Sequence, residues 1–168
     1  MKGISLSLDT NCFIDAARPE SHAHTAALAI IEAGQTGLVK LFVSRSSLVE
    51  LERHTDDALS IANTLSVLPT YPIGKIDDCV GTIRQQAGTF ADAKRNQEIQ
   101  KELKSLAKSG NGIRDRGAFI DSLLADVDAF VTSDKQWCDS GPARRIRDRF
   151  GLRTLTPQKA LECLVQKT

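Results

Sequence analysis

Apolar and polar residues alternate through Ile4-Ser5-Leu6-Ser7-Leu8, the period-two pattern of a strand, and the alternation stops at Asp9-Thr10-Asn11. Between His22 and Ala33 the period changes: Ala26, Ala27, Leu28, Ile30 and Ile31 predict a helix, closed by Gly34 and Gly37. Leu38 to Val43 reads as a second strand, and Ser46 to Leu51 opens another helix. Residues 55–87 read as further helix, divided by the turn Pro69-Thr70-Tyr71-Pro72. Phe119, Ile120, Leu123 and Leu124 recur at the spacing of a helix that buries one broad stripe. Asp126-Val127-Asp128 interrupts that stripe, and Ala129-Phe130-Val131-Thr132 predicts a short buried strand. Leu152 to Leu155 is the last predicted strand. Thr156-Pro157, an N-cap followed by proline at the first helical position, then opens a final helix through Leu164. Strands alternate with helices along the chain, which predicts an α/β fold: a single α/β/α sandwich around a mainly parallel central sheet.

Composition narrows the class. The 168 residues, 41% of them apolar, suffice for one domain (1–168) with a real core. The charged stretch at 88–112 stands apart. Lys94 and Lys101 flank Glu98 at helical spacing, so it is predicted to be a solvated helical insertion. A net charge of +1 argues against a uniformly basic face but leaves room for segregated patches and a nucleic-acid partner. Cys12, Cys79, Cys138 and Cys163 stand far apart without a CxxC pair, which predicts reduced, mostly buried thiols. With neither a signal peptide nor an apolar run of membrane-spanning length, the expectation is a soluble, cytoplasmic protein with no membrane partner.

The candidate chemistry lies in the acids. Asp9 follows the first strand and Asp134 follows the strand at 129–132, where ligands of open α/β sheets collect. Asp115 begins the helix that feeds that strand, and Glu50 lies on the helix after the second strand, expected on its first turn. Each has a bland alternative. Asp is favoured at caps and turns, and Ser47-Leu-Val-Glu50 matches a capping box. Four carboxylates meeting at one sheet edge would repel one another unless a cation bound, and hard oxygen donors select Mg²⁺ or Mn²⁺. Such a site suits phosphodiester hydrolysis without a His or Cys nucleophile.

These segments, in this order, resemble the PIN-domain nucleases. Leu6-Ser-Leu-Asp-Thr-Asn-Cys-Phe-Ile-Asp15 is similar to that family's opening strand and first acid, and Val43-Ser-Arg-Ser-Ser-Leu-Val-Glu50-Leu to its second motif. Asp115 and Val131-Thr-Ser-Asp134 resemble the third and fourth acids, and Leu155-Thr-Pro157 the closing strand and turn. The resemblance spans nearly the whole chain. Asp121 also stands within the third motif, so the choice of Asp115 rests on its spacing to Asp134. The resemblance implies a PIN-like fold and a metal-dependent endoribonuclease that leaves a 5′-phosphate and a 3′-hydroxyl. Asp9, Glu50, Asp115 and Asp134 would hold Mg²⁺ or Mn²⁺, and Asn11 and Thr132 would orient the carboxylates. Many bacterial relatives are dimeric toxins restrained by a small antitoxin protein. The resemblance therefore also implies an antitoxin partner and a homodimer.

Other residues carry less. His22 and His24 form an HxH pair without an evident third ligand, and His54 reads as a surface helix residue. Trp137 would stack on a base or pack inside, and Arg144, Arg145, Arg147 and Arg149 would grip phosphates or form a plain solvated face. Two rival functions stand beside the ribonuclease. One is a nuclease for structured DNA, and the other is a non-catalytic RNA-binding module whose acids are only caps and turns.

Overall fold

A computed structural model describes residues 3–54, 56–68, 98, 101, 112–139 and 141–166, with the backbone course alone for 112–116, 139, 141–143 and 146. Its centre is a five-stranded sheet in the order β3-β2-β1-β4-β5, with every neighbouring pair parallel. The strands are β1 (Ser5–Leu8), β2 (Lys40–Val43), β3 (Ser66–Val67), β4 (Ala129–Val131) and β5 (Arg153–Leu155). The helices are α1 (Thr10–Ala17), α2 (His24–Gln35), α3 (Arg45–Leu51), α4 (Asp56–Ala62), α5 (Gly112–Leu124), α6 (Lys135–Asp139), α7 (Gly141–Phe150) and α8 (Pro157–Val165). No described helix is long and apolar enough to cross a membrane.

Both sheet faces are covered, as a parallel sheet requires. Leu6, Leu8, Leu41, Val43 and Val131 face a core shared with Phe13, Ile30, Ile31 and Ala160 of α1, α2 and α8. Phe42 and Phe130 face a second core with Phe119, Ile120 and Leu123 of α5. Trp137 is buried there, its ring 5.0 Å from Phe119 and 6.2 Å from Phe130. Packing is therefore the role the structure gives Trp137.

Among the described residues, the predicted strands and the helices predicted over 22–33, from Ser46, around 119–124 and after Thr156 are present with shifted ends. The helix expected over 22–33 runs from His24 to Gln35, and Gly34 lies inside it rather than closing it. A Cβ on Gly34 would sit 2.3 Å from Leu41 Cδ1, so this glycine lets α2 approach β2 closely. Gly37, at φ 78°, makes the turn beyond the helix. The helix read over 55–87 is corrected in its first part. α4 ends at Ala62, and Ser66–Val67 joins the sheet beside β2. A two-residue edge strand with both side chains exposed has no periodicity to read. The turn at 69–72, the rest of the helix read over 55–87 and most of 88–112 lie outside the described residues; the described Glu98 and Lys101 are helical. His54 is exposed in the turn after α3 rather than on a helix. Of the described thiols only Cys12 is buried, while Cys138 and Cys163 are partly exposed, which corrects the expectation of mostly buried cysteines.

Register positions the site. Val43, Leu8, Val131 and Leu155 lie level across four strands. The residue after each is polar: Ser44, Asp9, Thr132 and Thr156. Ser44, Asp9 and Thr156 cap α3, α1 and α8. One edge of the sheet is therefore a polar row where helix N-termini begin. Because β1 leads outward to β2 and β3 while β4 and β5 lie on its other side, the switch in strand order falls between β1 and β4. Open α/β sheets hold their ligands at that crevice.

Candidate active site at the carboxyl edge of the sheet

Asp9 leaves the end of β1 with only 4% of its surface exposed. Its Oδ1 accepts from the Thr10 backbone N–H at 2.8 Å, and its Oδ2 accepts from the Thr132 hydroxyl at 2.7 Å. Thr132 has one proton and two lone pairs. The lone pairs accept from Asn11 Nδ2 and from the Asp134 backbone N–H, each at 3.1 Å. Asn11 Oδ1 in turn accepts from the Ser133 N–H at 3.0 Å. Thr132 thus bonds both Asp9 and the Asp134 backbone, and Asn11 bonds Thr132 and the Ser133 backbone.

Glu50 reaches the same cluster through Thr10, whose hydroxyl donates to Glu50 Oε2 at 2.8 Å. The capping-box alternative is corrected here. Ser44, not Ser47, caps α3, accepting from the Ser47 N–H at 3.0 Å. Glu50 accordingly lies on the second turn of α3 rather than the first, because the helix begins three residues earlier than the capping-box spacing implies. Asp134 does serve as a turn residue: its Oδ1 accepts from the Gln136 N–H at 2.8 Å at the start of α6. The cap and turn roles of Asp9 and Asp134 are therefore real, and both acids still stand at one edge.

Asp115 is on the first turn of α5, and its side chain lies outside the described residues. Its height follows from the chain path. α5 ends at Leu124, and a tight turn through Asp126 at φ 54° leads into the start of β4. At about 1.5 Å per residue, α5 climbs roughly 14 Å from Leu124 back to Asp115, while β4 spans about 10 Å. α5 also packs against α3, the helix of Glu50. The climb back to Asp115 is thus longer than β4 itself. Asp121, the other acid of that segment, is buried further down α5.

Two contributors escaped the sequence reading. Thr10 links Asp9 to Glu50, and its only signal was a hydroxyl residue next to a strand-end aspartate. Asp15, on the last turns of α1, accepts from the Ser133 hydroxyl and, at 2.7 Å, from the Ser21 hydroxyl, tying the loop of Asp134 to α1. His24 presents Nδ1 to the Asp15 carbonyl at 3.2 Å, and His22 is exposed. Beneath the acids the Cys12 thiol donates to the Val131 carbonyl at 3.3 Å. Burial, and then the negative charges of Asp9 and Asp15, push its pKa well above its ordinary value.

The cluster is made of carboxylate and hydroxyl oxygens, a hard donor set suited to Mg²⁺ or Mn²⁺. Among the described residues, no group of three or more His, Cys, Asp or Glu side chains is disposed to hold a metal ion. Asp9, Glu50 and Asp134 are instead joined through Thr10 and Thr132. The chain matches no protein-family model and no curated protein sequence.

Proposed function

We propose that this chain is a PIN-like, divalent-metal-dependent endoribonuclease acting through Asp9, Glu50, Asp115 and Asp134. The observation that carries this reading is the nearly buried Asp9 at the strand-order switch, which accepts from the backbone N–H of Thr10, whose hydroxyl reaches Glu50, and from the hydroxyl of Thr132, which holds the loop of Asp134. Keeping an acid this buried beside other acids costs stability unless its charge is matched.

In this reading Asp9, Glu50, Asp115 and Asp134 would hold Mg²⁺ or Mn²⁺, which when bound activates water and neutralises the scissile phosphate. Thr132 and Thr10 fix the carboxylate orientations, each spending its only proton on an acid. Asn11 holds the backbone of Ser133, so that Asp134 is presented from a fixed loop. The N-terminus of α1 favours the ionised form of Asp9.

The test is cleavage of structured RNA in Mg²⁺ or Mn²⁺, with structured DNA run beside it. Loss of cleavage in Asp9→Asn and Asp115→Asn, and with chelator, supports the reading. Cleavage that persists in both variants sinks it. A second reading has its own support, since Asp9 and Asp134 do cap and turn the chain: a non-catalytic RNA-binding module. It predicts RNA binding indifferent to chelator and no cleavage under any condition.

A further inference from the structure

One loop of the acidic edge is held at two points by a single helix. Between β4 and α6 the chain passes through Thr132, Ser133 and Asp134. The Ser133 backbone N–H donates to Asn11 Oδ1 at 3.0 Å, and the Ser133 hydroxyl donates to Asp15 Oδ2. Asn11 and Asp15 lie four residues apart on α1, so they occupy neighbouring positions on one face of that helix. One bond alone would leave Ser133 free to pivot. Two bonds, one to its main chain and one to its side chain, fix its orientation and with it the direction in which the chain delivers Asp134.

Asp15 is poorly placed for a role confined to its own helix. α1 ends at Ala17, so Asp15 lies in the last turn, where a carboxylate meets the negative end of the helix dipole. No basic residue stands in that turn to offset it. Its second oxygen is also engaged: Asp15 Oδ1 accepts from the Ser21 hydroxyl at 2.7 Å, and Ser21 Oγ accepts from the Ala23 N–H at 3.3 Å. The half-buried carboxylate thus bridges the loop of Asp134 and the turn that follows α1.

We infer that Asp15 is a positioning residue for Asp134: through the Ser133 hydroxyl it fixes the loop so that Asp134 is presented to the same divalent cation as Asp9 and Glu50. The part played in metal binding rests on the nuclease reading, whereas the grip on the loop does not. Asp15 acts through Ser133 and not as a ligand, since each of its oxygens accepts from a serine hydroxyl. Outer groups of this kind set the direction of the carboxylates that do ligate.

The experiment separates the order of the loop from metal binding. The full chain is compared with Ser133→Ala, which removes the hydroxyl and keeps Asp15, and with Ser133→Thr, which keeps a hydroxyl. Asp15→Asn, the double variant Asp15→Asn/Ser133→Ala and the control Ser21→Ala complete the set. Urea unfolding verifies that each is folded. Amide exchange is read by NMR in chelator at the Asp134 N–H, bonded to Thr132 Oγ1, and at the Gln136 N–H, bonded to Asp134 Oδ1. Mn²⁺ affinity is read from the electron paramagnetic resonance of the free ion, so no cleavage assay enters. Ser133→Ala is expected to exchange both amides roughly tenfold faster. It should also bind Mn²⁺ about 10–100-fold more weakly. Asp15→Asn should match it, the double variant should add nothing further, and Ser133→Thr and Ser21→Ala should stay near the parent. Unchanged exchange in Ser133→Ala overturns the inference, as do additive effects in the double variant. Faster exchange in a variant that binds Mn²⁺ as tightly as the parent overturns it too, and so does an equal effect in Ser21→Ala. A parent that binds no Mn²⁺ counts against the nuclease reading alone, and the exchange rates still decide whether Asp15 holds the loop.

Discussion

The Thr132 hydroxyl donates its one proton to Asp9 Oδ2 at 2.7 Å, joining the ends of two neighbouring parallel strands through a single hydrogen bond. Thr132→Val keeps the shape and removes the donor, leaving a buried carboxylate short of a partner. Loss of about 1–3 kcal/mol of stability is expected in urea unfolding, with Thr132→Ser nearly unchanged. Equal stability of the valine and serine variants would show that the bond contributes nothing.

Thr10 offers a cleaner probe of chemistry than the acids themselves. Thr10→Val leaves all four carboxylates in place but releases Glu50. Cleavage or Mn²⁺ affinity should fall about 10–100-fold, as for other residues that orient ligands, while Thr10→Ser stays near the parent. A drop in stability with unchanged activity would assign Thr10 to structure only.

The Cys12 thiol makes stability depend on alkaline pH. Its pKa is raised in the folded state by burial and by Asp9 and Asp15, relative to an ordinary value of 9.0. Above that value the unfolded thiol loses its proton and the folded one keeps it. The stabilisation is therefore fully present below pH 9.0 and is lost as pH rises beyond it. In chelator, stability above that pH should fall more steeply than in Cys12→Ala, by up to about 1.4 kcal/mol per pH unit. Parallel slopes would refute the assignment.

Gly34→Ala would ordinarily strengthen a helix by about 1 kcal/mol. Here the new methyl meets Leu41 Cδ1 at 2.3 Å and Cγ at 2.6 Å, so a net loss of about 1–3 kcal/mol is expected in thermal or urea unfolding. In a Leu41→Ala background the penalty should shrink, a coupling that a double-mutant cycle would measure.

Trp137→Ala removes a ring enclosed by Phe119 and Phe130. A loss of about 3–5 kcal/mol is expected, far more than an exposed base-stacking tryptophan would cost. Unfolding by denaturant measures it directly.

What could be read in advance follows the physics of each element. β1 and α5 were legible because their apolar residues recur at strand and helix spacing, even though Ser7, Asp121 and Ser122 between them are buried too, and Asp9 and Asp134 because strand ends in α/β sheets gather polar groups. β3 was not, since two exposed residues carry no pattern. The start of α3 was misplaced because three closely spaced serines, at 44, 46 and 47, offer rival caps; only the hydrogen bond from the Ser47 N–H decides for Ser44. Thr10 and Asp15 were missed because their partners lie far along the chain: Thr10 bonds Glu50 across 40 positions, and Asp15 takes the Ser133 proton across 118.

The middle strand of the sheet meets one of its two neighbours late. β1 can align with β2 early in synthesis, but Thr132 reaches Asp9 only after 123 further positions of chain have been made. Closing so long a loop is slow, because its entropy must be lost before any contact compensates. Until that moment Asp9 lacks the Thr132 hydroxyl that holds it in place. The acidic edge of the sheet is therefore completed only when β4 has emerged, however many of the acids were made before it.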